Sequence, residues 1–268
     1  MHDFASFNQR LVPAAESMVL SASPAALYGK GTFTTIAISE AKPIVWEKHW
    51  RRLTANAAMV GIDISEFSKE SSLNSLEEIV AKNNVIDGRA RITFFDESAS
   101  GIWSSETGRK TSQLIATADN RKTPDEFRLT FSSYCVNTTS PLTGIKSCNY
   151  LEHLMAFEEA RARGFDEAVR LNERGEVTSA CMANVFWLKD GKLNTPSLKT
   201  GCLPGTTREY ILENLEFYEV EATLVELHSA DDIFLTSAGI GVVQIAEFEG
   251  RAMRREPHRI LEIVPKPI

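Results

Sequence analysis

The clearest period-two pattern runs through Thr32–Ile38 (TFTTIAI), whose β-branched residues predict a strand. Arg89–Phe95 (RARITFF) and Leu114–Ala118 alternate in the same way. Between these strands the spacing turns helical. Trp46, Trp50, Leu53, Ala57 and Val60 predict one helix, stopped by Gly61, and Leu73–Lys82 predicts another. Ala118–Asp125 (ADNRKTPD) is polar, aperiodic and broken by Pro124, which reads as a linker. Beyond it the pattern predicts a strand at Phe127–Val136 and an amphipathic helix at Asn149–Arg163, closed by Gly164. Strands follow at Glu167–Leu171 and Val177-Thr178, around a turn at Arg174-Gly175. Val185–Leu188 and Lys192–Thr195 flank Asp190-Gly191, a hairpin signal. A helix at Thr207–Phe217 precedes strands at Ile233–Thr236 and Gly241–Phe248, with Glu249-Gly250 turning into a last short strand. The fold class is α+β, since runs of hairpins in the second half argue against a doubly wound sheet. The expected division is a small α/β domain at 1–118, a linker at 119–124 and a larger domain at 125–268.

Composition narrows the function. The 268 residues carry a net charge of −7, with 43% hydrophobic and 24% charged residues, so the chain is neither disordered nor fibrous. An acidic balance argues against nucleic-acid binding, which needs a basic surface. No apolar run approaches the length that spans a bilayer, and the N-terminus lacks a signal-peptide pattern. Cys135, Cys148, Cys181 and Cys202 form no CxxC pair, which suggests reduced thiols in a cytoplasmic protein rather than a zinc or redox site. Walker, HExxH and GxSxG motifs are absent, and Gly29-Lys30-Gly31 and Gly239-Ile240-Gly241 read as turn glycines. No metal site is expected.

Four places can carry chemistry. Lys146 stands between a strand and an apolar helix, with small or apolar neighbours and no carboxylate within five residues. A lysine at an element end is usually solvated. A partly buried one loses hydration of its charged form and becomes the neutral amine that Schiff-base chemistry needs. In Gly201–Ile211, Gly205 permits close backbone approach, and Thr206 with Glu209 has the spacing of a capping box, giving either an ordinary helix start or an anion site. Arg52, beside Trp50 and Leu53, is either a solvated helix arginine or a bidentate phosphate ligand. Thr236-Ser237-Ala238-Gly239 at a strand end is either a turn or a phosphate lining.

Taken in order, Tyr28–Phe33, His49–Leu53, Lys146–Asn149, Glu176–Thr178 through Ala183–Phe186, Thr195-Pro196 and Leu203–Arg208 resemble the class-IV aminotransferases, fold-type-IV enzymes that use pyridoxal 5′-phosphate (PLP). The resemblance spans nearly the whole chain and includes branched-chain and D-amino-acid aminotransferases and aminodeoxychorismate lyases. It implies a small α/β domain and a larger pseudo-barrel domain, PLP in the cleft, and a homodimer. It makes Lys146 the Schiff-base lysine and proton shuttle. Arg52 would hold the phosphate with Thr206 and Thr207, and Ser237 and Ala238 would close the cup. Tyr150, Ser179 and Asn184 are the other cofactor residues it implies, and Tyr28, Phe33 and Thr35 the substrate residues.

Three departures accompany the match. Ser179 stands where the family has a glutamate paired with the pyridine nitrogen, and a serine cannot hold a pyridinium by charge. Lys30 replaces the usual acid between two glycines. The loop Asp96–Trp103 is acidic where some relatives place a basic substrate-binding residue. The implied activity is PLP-dependent chemistry on a small amino-acid substrate, with transamination as the default reaction. Phe33-Thr34-Thr35 and Ala183–Trp187 look most like the lyases, in which the threonine matching Thr35 contributes to catalysis. The alternatives are therefore an aminodeoxychorismate lyase, eliminating pyruvate to give 4-aminobenzoate from an amino-chorismate-type substrate, and a PLP-binding protein that has lost turnover through Ser179.

Overall fold

The β-branched run Thr32–Ile38 becomes a sheet strand with a neighbour on each side. In a computed structural model that describes residues 1–98 and 110–263, two units are distinguished. The first comprises Met1–Asn120 and Ile145–Tyr150. Its strands are β1 (Phe4–Phe7), β2 (Arg10–Pro13), β3 (Gly31–Ser39), β4 (Lys42–Pro43), β5 (Gly88–Asp96) and β6 (Thr111–Ala118). They form one antiparallel sheet in the order β2-β1-β6-β5-β3-β4. Its helices among the described residues are α1 (Pro24–Tyr28), α2 (Trp46–Met59) and α3 (Lys69–Lys82). Alternation gives the sheet two unlike faces. Ile36, Ile38, Ala90, Ile92, Phe94 and Ile115 pack with Leu53 and Ala57 of α2 and Leu76 and Ile79 of α3 into one core. Phe33, Thr35, Arg91 and Thr93 alternate with those positions and take the other face, with Thr35 opposite Arg91 and Phe33 opposite Thr93.

The second unit takes Arg121–Gly144 and the chain from Leu151. Its strands are β7 (Arg128–Phe131), β8 (Glu167–Leu171), β9 (Val177–Ala180), β10 (Asn184–Lys189), β11 (Lys192–Pro196), β12 (Tyr218–Val220), β13 (Asp232–Ser237), β14 (Gly241–Gln244), β15 (Glu247–Phe248) and β16 (Arg251–Ala252). Its helices are α4 (Leu151–Ala162), α5 (Thr206–Asn214), α6 (Leu224–His228) and α7 (Ile260–Ile263). Among the described residues the strands make two five-stranded sheets, β12-β11-β10-β13-β14 and β16-β15-β7-β8-β9. Leu129, Val169 and Val177 of one sheet share a core with Val185, Trp187, Ile233 and Leu235 of the other, the filled interior of a barrel-like body.

Some expectations change. The predicted strand Phe127–Val136 ends at Phe131, after which Val136 touches Asn172 through an isolated bridge. The helix expected at Asn149–Arg163 is not amphipathic in the expected sense. Only Ala156 and Ala160 are buried, packed with Ala168 of β8, while Leu151 is 64% exposed and Leu154 and Met155 also face outward. Small residues allow the helix to lie close to the strand, and that leaves the large apolar residues outside. The segment Ile145–Tyr150 groups with the first unit although it follows the linker in sequence, because its backbone bonds to β3. Residues 99–103 of the acidic loop lie outside the described residues. Among the described residues, no helix is long and apolar enough to cross a membrane.

Candidate active site

Lys146 sits on an edge segment that extends the sheet beside β3. Phe33 N–H donates to its carbonyl at 3.0 Å, Thr32 Oγ1 donates to the same oxygen at 3.0 Å, and Cys148 N–H donates to Gly31 O at 2.8 Å. Lys146 N–H in turn donates to Asn56 Oδ1 of α2 at 2.9 Å. Gly31 is required by this approach, since a Cβ there would come within 2.8 Å of Cys148 Sγ. The bridge between Thr32 and Ser147 sets the register, which puts Lys146 on the face of Phe33 and Arg91.

The amine is surrounded by aromatic rings and positive charge. Nζ donates to Tyr150 Oη at 3.2 Å and lies 4.5 Å from the Phe33 ring centre and 4.8 Å from that of Tyr150. The two rings meet edge to face at 5.3 Å. Burial strips the ammonium of water, and Arg52 and Arg91 repel it, which brings Lys146 down to about 7. Cation–π attraction to the two rings acts in the opposite sense, favouring the charged form.

Arg52 does not stand alone on its helix. Its Nη2 donates to Thr34 Oγ1 at 2.9 Å, and that hydroxyl lies 2.7 Å from His49 Nδ1. His49 is buried, and burial, then Arg52, then Lys146 hold it well below the usual imidazole range, so it is neutral. Arg91 was not singled out from the sequence. Its guanidinium stacks 3.6 Å from the Phe33 ring centre, and Nε donates to Thr93 Oγ1 at 3.2 Å. Of the expected substrate residues, Phe33 and Thr35 share this face, whereas Tyr28 ends α1 and is exposed.

The second unit brings a different set together. Thr206 and Thr207 are the first two residues of α5, and both are buried. The expected capping box is absent: Gly205, not Thr206, is the N-cap, and no side chain caps the helix. A Cβ at Gly205 would fall 2.0 Å from Asn184 Oδ1, so only glycine lets the helix start so close to β10. Asn184 Nδ2 donates to Leu203 O at 2.8 Å, fixing the approach to the helix. Opposite Asn184 on β13 lies Thr236, whose buried hydroxyl has no partner among the described residues, followed by Ser237 and Ala238. Backbone N–H groups, hydroxyls and a helix dipole collected in one place suit a phosphate. Ser179 is buried on β9, directly opposite Arg170 on β8. Ser179, Asn184, Thr206, Thr207, Ser237 and Ala238 therefore belong to the second unit, and Arg52, Lys146, Tyr150, Tyr28, Phe33 and Thr35 to the first.

The family model described as amino-transferase class IV matches residues 31–248. The chain belongs to that family. This class-IV aminotransferase is 30% identical over 240 residues to the aminodeoxychorismate lyase of Bacillus subtilis, covering 83% of this chain and 79% of the relative. It is 24% identical over 266 residues to the branched-chain-amino-acid aminotransferase of Escherichia coli, covering 92% and 85%. Among solved structures it resembles the branched-chain aminotransferase of Thermoproteus uzoniensis with norvaline, at TM-score 0.90 and 29% identity, over 98% of this chain and 93% of that one.

The aminotransferase is PLP-dependent. Its residues fit the cofactor: a near-neutral amine, an N-terminal helix turn with no side-chain cap, and an orphaned buried hydroxyl beside it. Lys30 is accounted for locally. Its Nζ lies 2.8 Å from Asp96 Oδ2, so the exchanged charge is paired within the unit. Burial works against the Asp96 carboxylate, but its bonds from Lys30 and Ser98 outweigh that and hold it below its ordinary range.

Proposed function

We propose that Lys146 is the amine that condenses with the PLP aldehyde and that this chain transfers amino groups between small amino acids and keto acids. The observation that supports it most is Lys146 itself: a lysine brought to about 7, with its backbone fixed at both N–H and carbonyl. When bound, PLP supplies an aldehyde for covalent attachment and a ring that withdraws electrons from the substrate Cα. Lys146 then holds or returns the proton at that carbon, a task suited to an amine poised near neutrality. Tyr150 orients Nζ through its hydroxyl. Arg52, fixed through Thr34, Thr206 and Thr207 on α5, and Ser237 and Ala238 bind the phosphate. Asn184 holds Leu203 and so the start of that helix. Ser179 meets the ring nitrogen. Phe33 and Tyr28 contact the substrate side chain, and Arg91 offers a guanidinium to its carboxylate.

Branched-chain aminotransferases among the relatives point to aliphatic amino acids as donors. The lyase reading is supported by the Bacillus subtilis relative and by Thr35, which shares the face of Phe33 and Arg91. The outward Leu151, Leu154 and Met155 of α4 suit a homodimer, and scattered free cysteines suit the cytoplasm. Borohydride reduction of PLP-loaded protein followed by peptide mapping tests the central assignment. A label on Lys146, lost in Lys146→Ala, is expected; a label on another lysine overturns it. Adding valine, leucine or 4-amino-4-deoxychorismate to the loaded protein separates the reactions. Keto acid accompanied by a shift in cofactor absorbance marks transamination. Pyruvate with 4-aminobenzoate marks the lyase, and no response marks lost turnover.

A further inference from the structure

Arg170 takes no part in the proposed PLP contacts, yet it is a charged side chain buried inside the second unit. It is 1% exposed, the largest of the fully buried side chains among the described residues. Its Nε donates to Tyr134 O at 3.1 Å and Nη2 to Cys135 O at 3.0 Å. The ion pair it makes, Nη2 to Glu152 at 3.4 Å, is with a carboxylate whose side chain is 79% exposed, so solvent screens the counter-charge. Nη1 has no partner among the described residues. Directly opposed residues of an antiparallel pair share a face, and Arg170 is directly opposed to Ser179. The ladder slips immediately beyond this pair, between Arg170 and Leu171, and Thr178 Oγ1 closes the irregularity by donating to Arg170 O at 2.9 Å. Such irregularities re-aim side chains and break the regular alternation.

We propose that Arg170 and Ser179 together keep the pyridine nitrogen of bound PLP unprotonated, with Ser179 donating a hydrogen bond to it and Arg170 excluding a second positive charge. This rests on the reading that Ser179 meets that nitrogen. A guanidinium is charged at every accessible pH, and a like charge nearby disfavours the pyridinium. The ionisable groups around the pair do not reverse this. Glu152 of α4 is largely in solvent. Glu167 of β8 is buried, which pushes its carboxyl up toward the neutral form, and its Oε1 accepts from Ala168 and Cys181 N–H. Burial likewise holds Cys181 as a thiol. Tyr134 presents its carbonyl to Arg170. A neutral ring would withdraw electrons less strongly than a pyridinium.

The test is the 15N chemical shift of protein reconstituted with ring-15N PLP, which reads the nitrogen's protonation without turnover. The wild type is expected to show an unprotonated nitrogen at pH 7, and Ser179→Glu to move the signal to the protonated position. Arg170→Gln, which keeps donors for the two carbonyls, is expected to raise the protonated fraction at pH 6 by about tenfold. A protonated nitrogen in the wild type at pH 7 overturns the proposal, whether or not the variants fold. A folded, PLP-loaded Arg170→Gln with the wild-type signal throughout reduces Arg170 to a strut for Tyr134 and Cys135 and equally overturns it. Failure of borohydride to trap PLP on Lys146 sinks the functional reading instead, so the two failures are distinguishable.

Discussion

Titrating the PLP-free protein with PLP between pH 5.5 and 9.5 should give a condensation rate that rises about tenfold per pH unit and levels near pH 7. Only the free amine attacks an aldehyde. An ordinary lysine near 10.4 is about one part in 2,500 free base at pH 7. Lys146, at about 7, is about half free base there, roughly a thousandfold gain in the reactive form. The rate is followed by absorbance of the new Schiff-base band, with N-acetyl-lysine methyl ester as a solvated reference that corrects for titration of PLP itself. Arg91→Gln removes one of the like charges, so its midpoint should move upward, by less than about one pH unit because Arg91 is exposed. The same shift has a stability consequence. Lys146 titrates lower in the folded chain than unfolded, so between about 7 and about 10.4 the unfolded state binds more protons and folding stability rises with pH. Below pH 7 the full penalty of the buried ammonium is present, at most roughly 4–5 kcal/mol and less because Lys146 is only half-buried. PLP-free Lys146→Met should therefore be more stable than wild type at pH 6, with the difference shrinking toward pH 10. A wild-type rate still climbing at pH 9 would mean a solvated amine, and the argument from burial would fail.

Arg52→Ala should weaken PLP binding by about ten- to a hundredfold, the loss of a charge-assisted contact worth roughly 1.5–3 kcal/mol; equilibrium titration reads it, and unchanged affinity returns Arg52 to a purely structural partner of Thr34. Gly205→Ala forces a Cβ onto Asn184 Oδ1, so both Tm and PLP affinity should fall, and a variant with wild-type values for both would show that the helix start has slack. Glu167 titrates higher folded than unfolded, so stability falls as pH rises from its unfolded value through its folded one. Glu167→Gln should flatten that part of the Tm–pH curve and raise Tm at pH 7; an unchanged slope would mean the carboxyl is not the group responsible.

The long strands and helices of the first unit were legible because their periodicity is clean, as in Thr32–Ile38 and Trp46–Val60. β1 and β2 were not, since FASF and RLVP are short and their turn, Asn8-Gln9, reaches positive φ at both residues without a glycine to signal it. The capping-box spacing of Thr206 and Glu209 misplaced the start of α5 by one residue, because the real constraint is the contact between Gly205 and Asn184, far apart in sequence. The apolar neighbours of Lys146 predict a desolvated amine, and burial in the fold brings it down to about 7. Arg91 and Arg170 were hidden for one reason: RARITFF and EAVRL read as strands with polar positions outward, and only the fold sets Arg91 over the Phe33 ring and buries Arg170 opposite Ser179. His49 stands in the matching stretch His49–Leu53, but its closeness to Thr34 arises only when α2 packs on β3.

The clamp on the Lys146 peptide, from Asn56 on one side and Thr32 and Phe33 on the other, also sets a clock. With the main chain held, the amine can reach or retreat only by turning its own side-chain torsions. Rotations of exposed side chains run in picoseconds to nanoseconds and slow where packing crowds them, whereas domain rearrangements take microseconds to milliseconds. Were Lys146 to hold PLP as proposed, an amine released from it would stay on a tether a few bonds long, with no main-chain rearrangement needed for its return. Loosening the pivot, for instance by Asn56→Ala, would leave the chemistry of the amine intact but lengthen the search by which it comes back.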